Sequence, residues 1–294
     1  MQPVLLLGAG GQLGTDLRRT LPAAALVPLT RTDLDITDRD AVERVLDAHA
    51  PAWVINTAAF HRVDDIELKD AQLAFAVNEV AAGHLARACA RRGARLLHLS
   101  TDYVFGGDRH SGPRRPYAED SPPFPLSVYG ASKLAGERQI QGASSTHLVV
   151  RSSGLYGVAG SAGKGGNFVE TMLRLARKGE RIKVVDDQVL APTYTADLAE
   201  AIARLVAARP PGGIYHLTNS GACSWFEFAG RIFELCKLAP DLAPTTSAEY
   251  KAPASRPPYS VLANTRAAAL GLPPLRPWPE ALEDYLRAKG HFAD

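Results

Sequence analysis

Cysteine is scarce: three in 294 residues, Cys89, Cys223 and Cys236, an odd number without metal or redox spacing. That argues against a disulfide framework and points to free thiols in a reducing compartment, so the expected location is cytoplasmic. One-sided charge is missing as well, with 33 Lys and Arg against 31 Asp and Glu. No basic run calls for nucleic acid, and the short stretches Ala90–Arg92 and His110–Arg115 read as solvated faces. Apolar stretches are of strand length or contain charges, so no membrane-spanning helix is expected. The first strand begins at about residue 3, so no signal peptide is expected ahead of it.

Metal chemistry is also unsupported. The eight histidines show no ligand spacing, and His98, within an apolar strand, reads as a satisfied core residue. Asp64, Asp65 and Glu67 read as an acidic helix start rather than a cation site. No G-x-S-x-G elbow occurs. The stretch "GSAGKGG" (160–166) is no phosphate loop, because Lys164 precedes Gly165 rather than Ser or Thr; it reads as a loop over the substrate.

What is present is an alternation of buried strands and helices. "VLLL" (4–7), "ALVPL" (25–29), "WVIN" (53–56), "RLLHLS" (95–100) and "HLVVR" (147–151) read as strands, with helical periodicity over 38–48, 67–91 and 127–141. That pattern predicts an α/β fold: a Rossmann-type, doubly wound parallel sheet over 1–153. Elements at about 181–217 return to it. The segments 154–180 and 218–294, glycine- and proline-rich, read as a smaller C-terminal lobe, to which the family resemblance given below assigns substrate binding. Ligands in such sheets bind beyond the carboxyl ends of the strands.

The first strand runs into "GAGGQLGTDL" (8–17). Spaced as G-x-x-G-x-x-G, Gly8 permits the turn, Gly11 lets backbone approach a pyrophosphate, and Gly14 lets the helix pack on the sheet. Strand two ends in Thr30-Arg31, and an Arg there accommodates a ribose 2′-phosphate. The expected cofactor is therefore NADP(H), with NAD(H) left open because Asp33 and Asp35 lie close by. Asp35 and Ile36 are placed at the adenine pocket. "NTAA" (56–59) follows strand three, at the carboxyl edge where ligands sit, and the family resemblance given below implies that Ala58 and Ala59 lie beside the cofactor.

Strand four ends in "HLSTDYVFGG" (98–107), and the next helix opens with "YGASKLAGE" (129–137). Tyr129 and Lys133, four residues apart, share one helix face. A phenol near pKa ~10 exchanges protons poorly at neutral pH, and a neighbouring ammonium lowers it. Tyr129 as proton donor, Lys133 as its cation and Thr101 as a hydrogen-bond donor suit a carbonyl reduced beside a nicotinamide, and Tyr129 and Lys133 are also expected to contact the cofactor, Lys133 at the nicotinamide ribose.

Taken together, "GGQLG", "NTAA", "STDYVF", "YGASKLAGE", "GGNFVETML" and "DDQVLAPTYTADLA" resemble the extended short-chain dehydrogenase/reductases, and within them the dTDP-4-dehydrorhamnose reductase family. The resemblance runs through most of the chain, strongest over 1–200. It implies NADPH- or NADH-dependent reduction of a nucleotide-activated 4-keto-6-deoxy sugar. It implies catalytic roles for Thr101, Tyr129 and Lys133 and cofactor contacts at Gly11, Gln12, Leu13, Asp35, Ile36, Ala59, Phe60 and His61. Substrate contacts are expected at Thr101, Asp102, Tyr103 and Asn167, with Arg256 meeting the substrate's phosphates. A homodimer is a further expectation.

Three departures bear on which sugar is used. Gly154 stands in "RSSGLY" where the family has Trp, Ala263-Asn264 where it has Asp, and Gly106-Gly107 where it has Asp-Gly. Two other readings stay open. One is an epimerase or dehydratase of the same superfamily, with Asp102 as its acid. The other is a non-catalytic, cofactor-binding regulatory subunit, as a protein resembling this reductase is in a methionine adenosyltransferase.

Overall fold

The computed structural model describes residues 3–107, 114–160 and 166–292. Its first part alternates β1 (Val4–Leu7), α1 (Gln12–Thr20), β2 (Leu26–Leu29), α2 (Arg39–His49), β3 (Trp53–Asn56), α3 (Val63–Leu68), α4 (Ala71–Phe75), α5 (Ala82–Arg91), β4 (Arg95–Thr101), α6 (Val128–Ala143) and β5 (Leu148–Ser152). There follow β6 (Leu155–Tyr156), α7 (Phe168–Lys178), β7 (Ile182–Val185), β8 (Val189–Leu190), β9 (Thr193–Tyr194), α8 (Thr195–Ala208) and β10 (Gly213–His216). The last elements are β11 (Cys223–Ser224), α9 (Trp225–Leu235), β12 (Leu242–Thr245), α10 (Ser247–Tyr250), α11 (Thr265–Ala269) and α12 (Trp278–Ala288).

Six strands form one parallel sheet in the order β10-β5-β4-β3-β1-β2. From β1 the chain steps outward to β2, returns to the other side of β1 as β3, and then proceeds away. The switch point therefore lies beyond the ends of β1 and β3, where a doubly wound sheet opens a crevice. Period-two alternation divides each strand between two cores. Leu6, Ile55, Leu97 and Val150 pack with Leu13 and Leu17 of α1 and Leu198, Ile202 and Leu205 of α8. Leu5, Leu7, Val54, Leu96 and Val149 pack with Val42 and Leu46 of α2 and Leu85, Ala86 and Cys89 of α5.

A third core, separate from the sheet, gathers Tyr156, Val169, Leu173, Phe228, Ile232, Leu282 and Tyr285 from the later elements. The segment 182–185 belongs here: β7 pairs in parallel with β12, whereas α8 and β10 do return to the large sheet. Its hydrophobic partners, Phe228, Ile232 and Phe233, lie on α9, which is why it leaves the main sheet.

The helix expected over 67–91 is broken. It starts at Val63, stops at Lys69-Asp70, resumes as α4 and widens into a π-helical turn at Ala76–Ala81 before α5. Asn78 sits in that turn and uses its amide to hold the loop after β3. Its Oδ1 accepts from Phe60 N (2.9 Å) and its Nδ2 donates to Phe60 O (2.8 Å) and Ser132 Oγ (3.0 Å). The backbone of the same turn sits against α6 so closely that a Cβ on Gly136 would lie 2.1 Å from Asn78 O. A π-turn of this kind serves side-chain placement rather than helix stability.

Candidate active site

A cavity of about 510 Å³ opens over the switch point. One wall is the glycine turn. A Cβ on Gly14 would stand 2.3 Å from Gly8 O, and one on Gly8, whose φ is +78°, 2.8 Å from Ala58 N. Both glycines are therefore demanded by backbone contact. Gly11 is the N-cap of α1 and supplies no side-chain acceptor, so the first N–H groups of the helix face the cavity beside Gln12 and Leu13. An unsatisfied helix start next to a crevice is a place for phosphate. Gln12 Oε1 accepts from Gly157 N (2.9 Å) and Asn167 Nδ2 (3.4 Å), which ties this turn to the segment after β6.

Arg31 is exposed at the end of β2. The carboxylates near it are engaged locally: Asp33 accepts from Thr30 N (2.8 Å) and Thr30 Oγ1 (2.6 Å), and Asp35 from Thr37 N (2.9 Å) and Thr37 Oγ1 (2.7 Å). Those bonds hold both carboxyls below their usual range. Ile36 is buried against the α2 side of the sheet. Ala59 and His61 line the cavity, while Ala58 and Phe60 hold the loop through Asn56 and Asn78.

The opposite wall comes from β4 and α6. Thr101, the last residue of β4, donates through Oγ1 to Asp102 Oδ1 (3.1 Å) and accepts from Tyr103 N (3.2 Å). Tyr129, in the first turn of α6 behind the Ser127 cap, is hydrogen-bonded to Thr101 and packs edge-on to Tyr103 at 5.6 Å. Burial raises its phenol above the ordinary value, and the Thr101 bond opposes that rise. Asp102 is buried and receives Ser153 Oγ (2.7 Å) and Ser260 Oγ (2.5 Å); desolvation raises its carboxyl despite them.

Lys133 is 2% exposed, and burial lowers its ammonium to about 8, with Glu137 pulling the other way. Its Nζ donates to Leu99 O (2.7 Å) and lies 3.0 Å from His98 Nε2. The amine thus shares a helix face with Tyr129, but its hydrogen bonds run to β4 rather than to the phenol. Glu137, one turn on, is engaged by Arg151 (Nε 2.9 Å, Nη2 2.6 Å) and Ser100 Oγ (2.5 Å), all buried.

The remaining expected contacts are distributed unevenly. Tyr103 lines the cavity, and burial pushes its phenol up to about 12. Arg256 lines it too, with its guanidinium on Asp64 (2.9 Å) and Ala254 O (2.9 Å). Asp64 and Glu67, placed by sequence in an acidic helix start, act as anchors: Glu67 accepts from Val128 N (3.0 Å). Asn167 also reaches the cavity, but its amide caps α7 at Glu170 N and binds Gly157 O and Tyr285. Residues 161–165 of the glycine-rich loop and 108–113 of the basic stretch lie outside the described residues. Among the described residues no cluster of His, Cys, Asp or Glu is arranged to hold a metal ion. No helix there is long and apolar enough to cross a membrane.

Sequence reasoning missed Asn56 and Asn78, which hold the loop after β3, and Ser153 and Ser260, which hold Asp102; His98 is the satisfied core residue expected, and it also faces Lys133. Sequence reasoning also missed Gln188, Leu190 and Trp225, which line the cavity from the later part of the chain. At Gly154, φ is +52° and a Cβ would lie 2.6 Å from Leu190 Cδ1, so Leu190 fills the space beside this glycine. Only the period-two pattern of β4 carried a signal: His98 and Ser100 share a face, and Lys133 and Glu137, one helical turn apart, meet them in order.

Comparison with known proteins agrees along the whole chain. The model of the RmlD substrate binding domain matches residues 1–290. A dTDP-4-dehydrorhamnose reductase of Streptomyces griseus is 46% identical over 95% of this chain and 91% of its own. The spore coat polysaccharide biosynthesis protein SpsK of Bacillus subtilis is 42% identical over the full length of both. The crystal structure of dTDP-4-dehydrorhamnose reductase from Bacillus anthracis, in complex with NADP, superposes with a TM-score of 0.89 at 38% identity, covering 98% of this chain and 99% of that one. By the match of its sequence and of its fold, the chain belongs to the RmlD family, the family of the dTDP-4-dehydrorhamnose reductases.

Proposed function

We propose that this protein is an NADP(H)-dependent reductase of a nucleotide-activated 4-keto-6-deoxy sugar, dTDP-4-dehydrorhamnose being the substrate favoured by its relatives. The observation that carries the reading is the convergence of Thr101, Tyr129 and Lys133 on one wall of the cavity whose other wall is the open start of α1. The groove fits a dinucleotide: glycines at 8 and 14 fill positions a Cβ would block, and the helix start offers N–H groups to phosphate. Gly11, Gln12 and Leu13 would hold the pyrophosphate, with Ala59 and His61 along the adjoining wall. Arg31 would take the 2′-phosphate, since Asp33 and Asp35 are occupied by their own turns. When bound, the nicotinamide supplies hydride to the carbonyl carbon.

The protein's own groups handle the oxygen. Tyr129 gives the proton, and Thr101 orients the carbonyl oxygen toward it. Asp102, fixed by Ser153 and Ser260, holds Thr101 in place. Lys133, as a cation, stabilises the phenolate left behind. Arg256 sits at the cavity edge, where its fork suits the substrate's phosphates. A homodimer and a cytoplasmic location go with this reading and are checked by sedimentation of the purified protein and by cell fractionation.

The test is loss of NADPH absorbance when dTDP-4-keto-6-deoxy-L-mannose is added, beside a Tyr129→Phe control. Turnover in the wild type that falls by about 10²-fold or more in the variant, with NADP+ affinity kept, is the expected result. Tight NADPH binding without turnover of this or any related nucleotide keto-sugar would overturn the reductase and favour a cofactor-bound regulatory subunit, whereas turnover of another keto-sugar alone would overturn only the choice of sugar. Interconversion of sugars without net NADPH consumption would favour an epimerase.

A further inference from the structure

The polar groups behind Lys133 form a chain whose hydrogen atoms can be assigned by accounting. Asn56 and His98 are register partners on neighbouring strands, so their side chains lie side by side on the α6 face of the sheet. Both are buried, and so is Lys133. Asn56 Oδ1 accepts from Ala58 N at 3.0 Å, which fixes the amide with Nδ2 toward the imidazole. Asn56 Nδ2 stands 3.0 Å from His98 Nδ1. An amide NH2 cannot accept, so Nδ1 must be the bare nitrogen and a neutral ring carries its proton on Nε2. Nε2 in turn faces Lys133 Nζ at 3.0 Å. Two donors would meet there if Nζ were an ammonium; the contact is a hydrogen bond only when the amine is unprotonated.

We infer that His98 is a positioning residue for Lys133: held by Asn56 as its Nε2–H tautomer, it opposes charging of the amine in the ligand-free protein. Charging Lys133 in place requires the imidazole to move its proton to Nδ1 and the Asn56 amide to turn over. That turnover gives up the bond to Ala58 N, in the loop that adjoins the cavity at Ala59 and His61. The charge on Lys133 is therefore linked to the loop after β3, and a ligand seated on that loop acts on the amine through Asn56 and His98.

The surroundings agree with this accounting. On α6, Tyr129 and Glu137 flank Lys133; Glu137, paired with Arg151 of β5 and bonded by Ser100 of β4, still favours the ammonium, against which the His98 contact acts. Asp102, beyond the end of β4, is spent on Ser153, Ser260 and Thr101. Burial lowers Lys133 to about 8 against the opposing pull of Glu137, and burial together with the neighbouring Lys133 holds His98 well below its ordinary value, so the ring is neutral at physiological pH.

The role assigned to Lys133 in turnover rests on the reductase reading, but the first measurement does not. Nitrogen NMR of the ¹⁵N-histidine-labelled wild-type protein reports the His98 tautomer directly. A bare Nδ1 with a protonated Nε2 is expected in the ligand-free state; Nδ1–H or an imidazolium overturns the inference whatever the activity. The second measurement uses Asn56→Asp, whose carboxylate can accept from Ala58 N and from Nδ1–H together. The ring should switch to Nδ1–H, leaving Nε2 to accept from a Lys133 ammonium. The basic limb of kcat should then rise by about one pH unit or more. An unswitched tautomer, or a switched one with the limb unmoved, refutes the coupling. If the wild type consumes no NADPH, the reductase reading fails while the tautomer result still decides the inference.

Discussion

Replacing Glu137 by Gln removes one charge from a buried pair and leaves the shape of the site almost unchanged. Arg151 is 2% exposed at its side chain and Glu137 0%, so water cannot substitute for the lost carboxylate. In the wild type one oxygen takes Arg151 Nε and Ser100, and the other takes Arg151 Nη2 at 2.6 Å. A glutamine keeps one acceptor and turns an NH2 toward a guanidinium N–H. The cost of a stranded buried charge is about 3–5 kcal/mol. For a chain of this size that corresponds to a drop of roughly 5–8 °C in Tm, read by calorimetry. Because Glu137 supports the charge on Lys133, its loss also moves the basic limb of kcat to lower pH. The double variant Glu137→Met with Arg151→Met removes the stranded charge and should recover most of the loss. A single variant within about 2 °C of wild type, or a double variant no more stable than the single one, would refute the electrostatic account.

Other expectations follow from individual sites. Gly14→Ala drives a Cβ to 2.3 Å from Gly8 O and must push α1 off the sheet. It should cost about 1–3 kcal/mol in urea denaturation and weaken NADP+ binding, whereas Gly10→Ala, with nothing nearer than Thr30 Cγ2 at 3.7 Å, should be tolerated. Lys133 titrates near 10.5 in the unfolded chain and about 8 in the fold, so between those values the unfolded state binds more protons. Stability contributed at this site therefore rises with pH through that window, by up to about 3 kcal/mol, and Lys133→Met should abolish the rise in melts recorded across it. Arg31→Ala should raise the Kd for NADP+ about ten- to a hundredfold and leave that for NAD+ unchanged in titration calorimetry, if Arg31 meets the 2′-phosphate.

Much of the architecture was legible because its determinants are local. Buried strands of four to seven residues alternating with amphipathic helices specify crossover connections, and β1 to β5 stand within a residue or two of their expected places. The glycine turn was readable for the same reason: a tight strand-to-helix turn leaves its spacing in the chain. The helix over 67–91 was not, since its apolar period continues through a segment that Asn78 and Gly136 force into a π-turn. Nor was the pairing of β7 with β12, because a four-residue strand with an apolar face suits either sheet and its neighbours decide.

Sequence by itself determined the sheet, the crevice and the chemical types brought to it: a phenol, a hydroxyl and an amine at the ends of β4 and the start of α6. Tertiary structure alone decided what those groups point at. Asp33 and Asp35 turn into their own loops, Arg256 is shared with Asp64, and Asn167 closes a helix instead of standing free. His98, apolar by its setting in the sequence, becomes a neighbour of Lys133 only when β3, β4 and α6 are laid together. The physical reason is that propensity and period act over a few residues along the chain. A buried hydrogen bond is made between residues tens of positions apart, and its direction is set by every other partner those residues must satisfy.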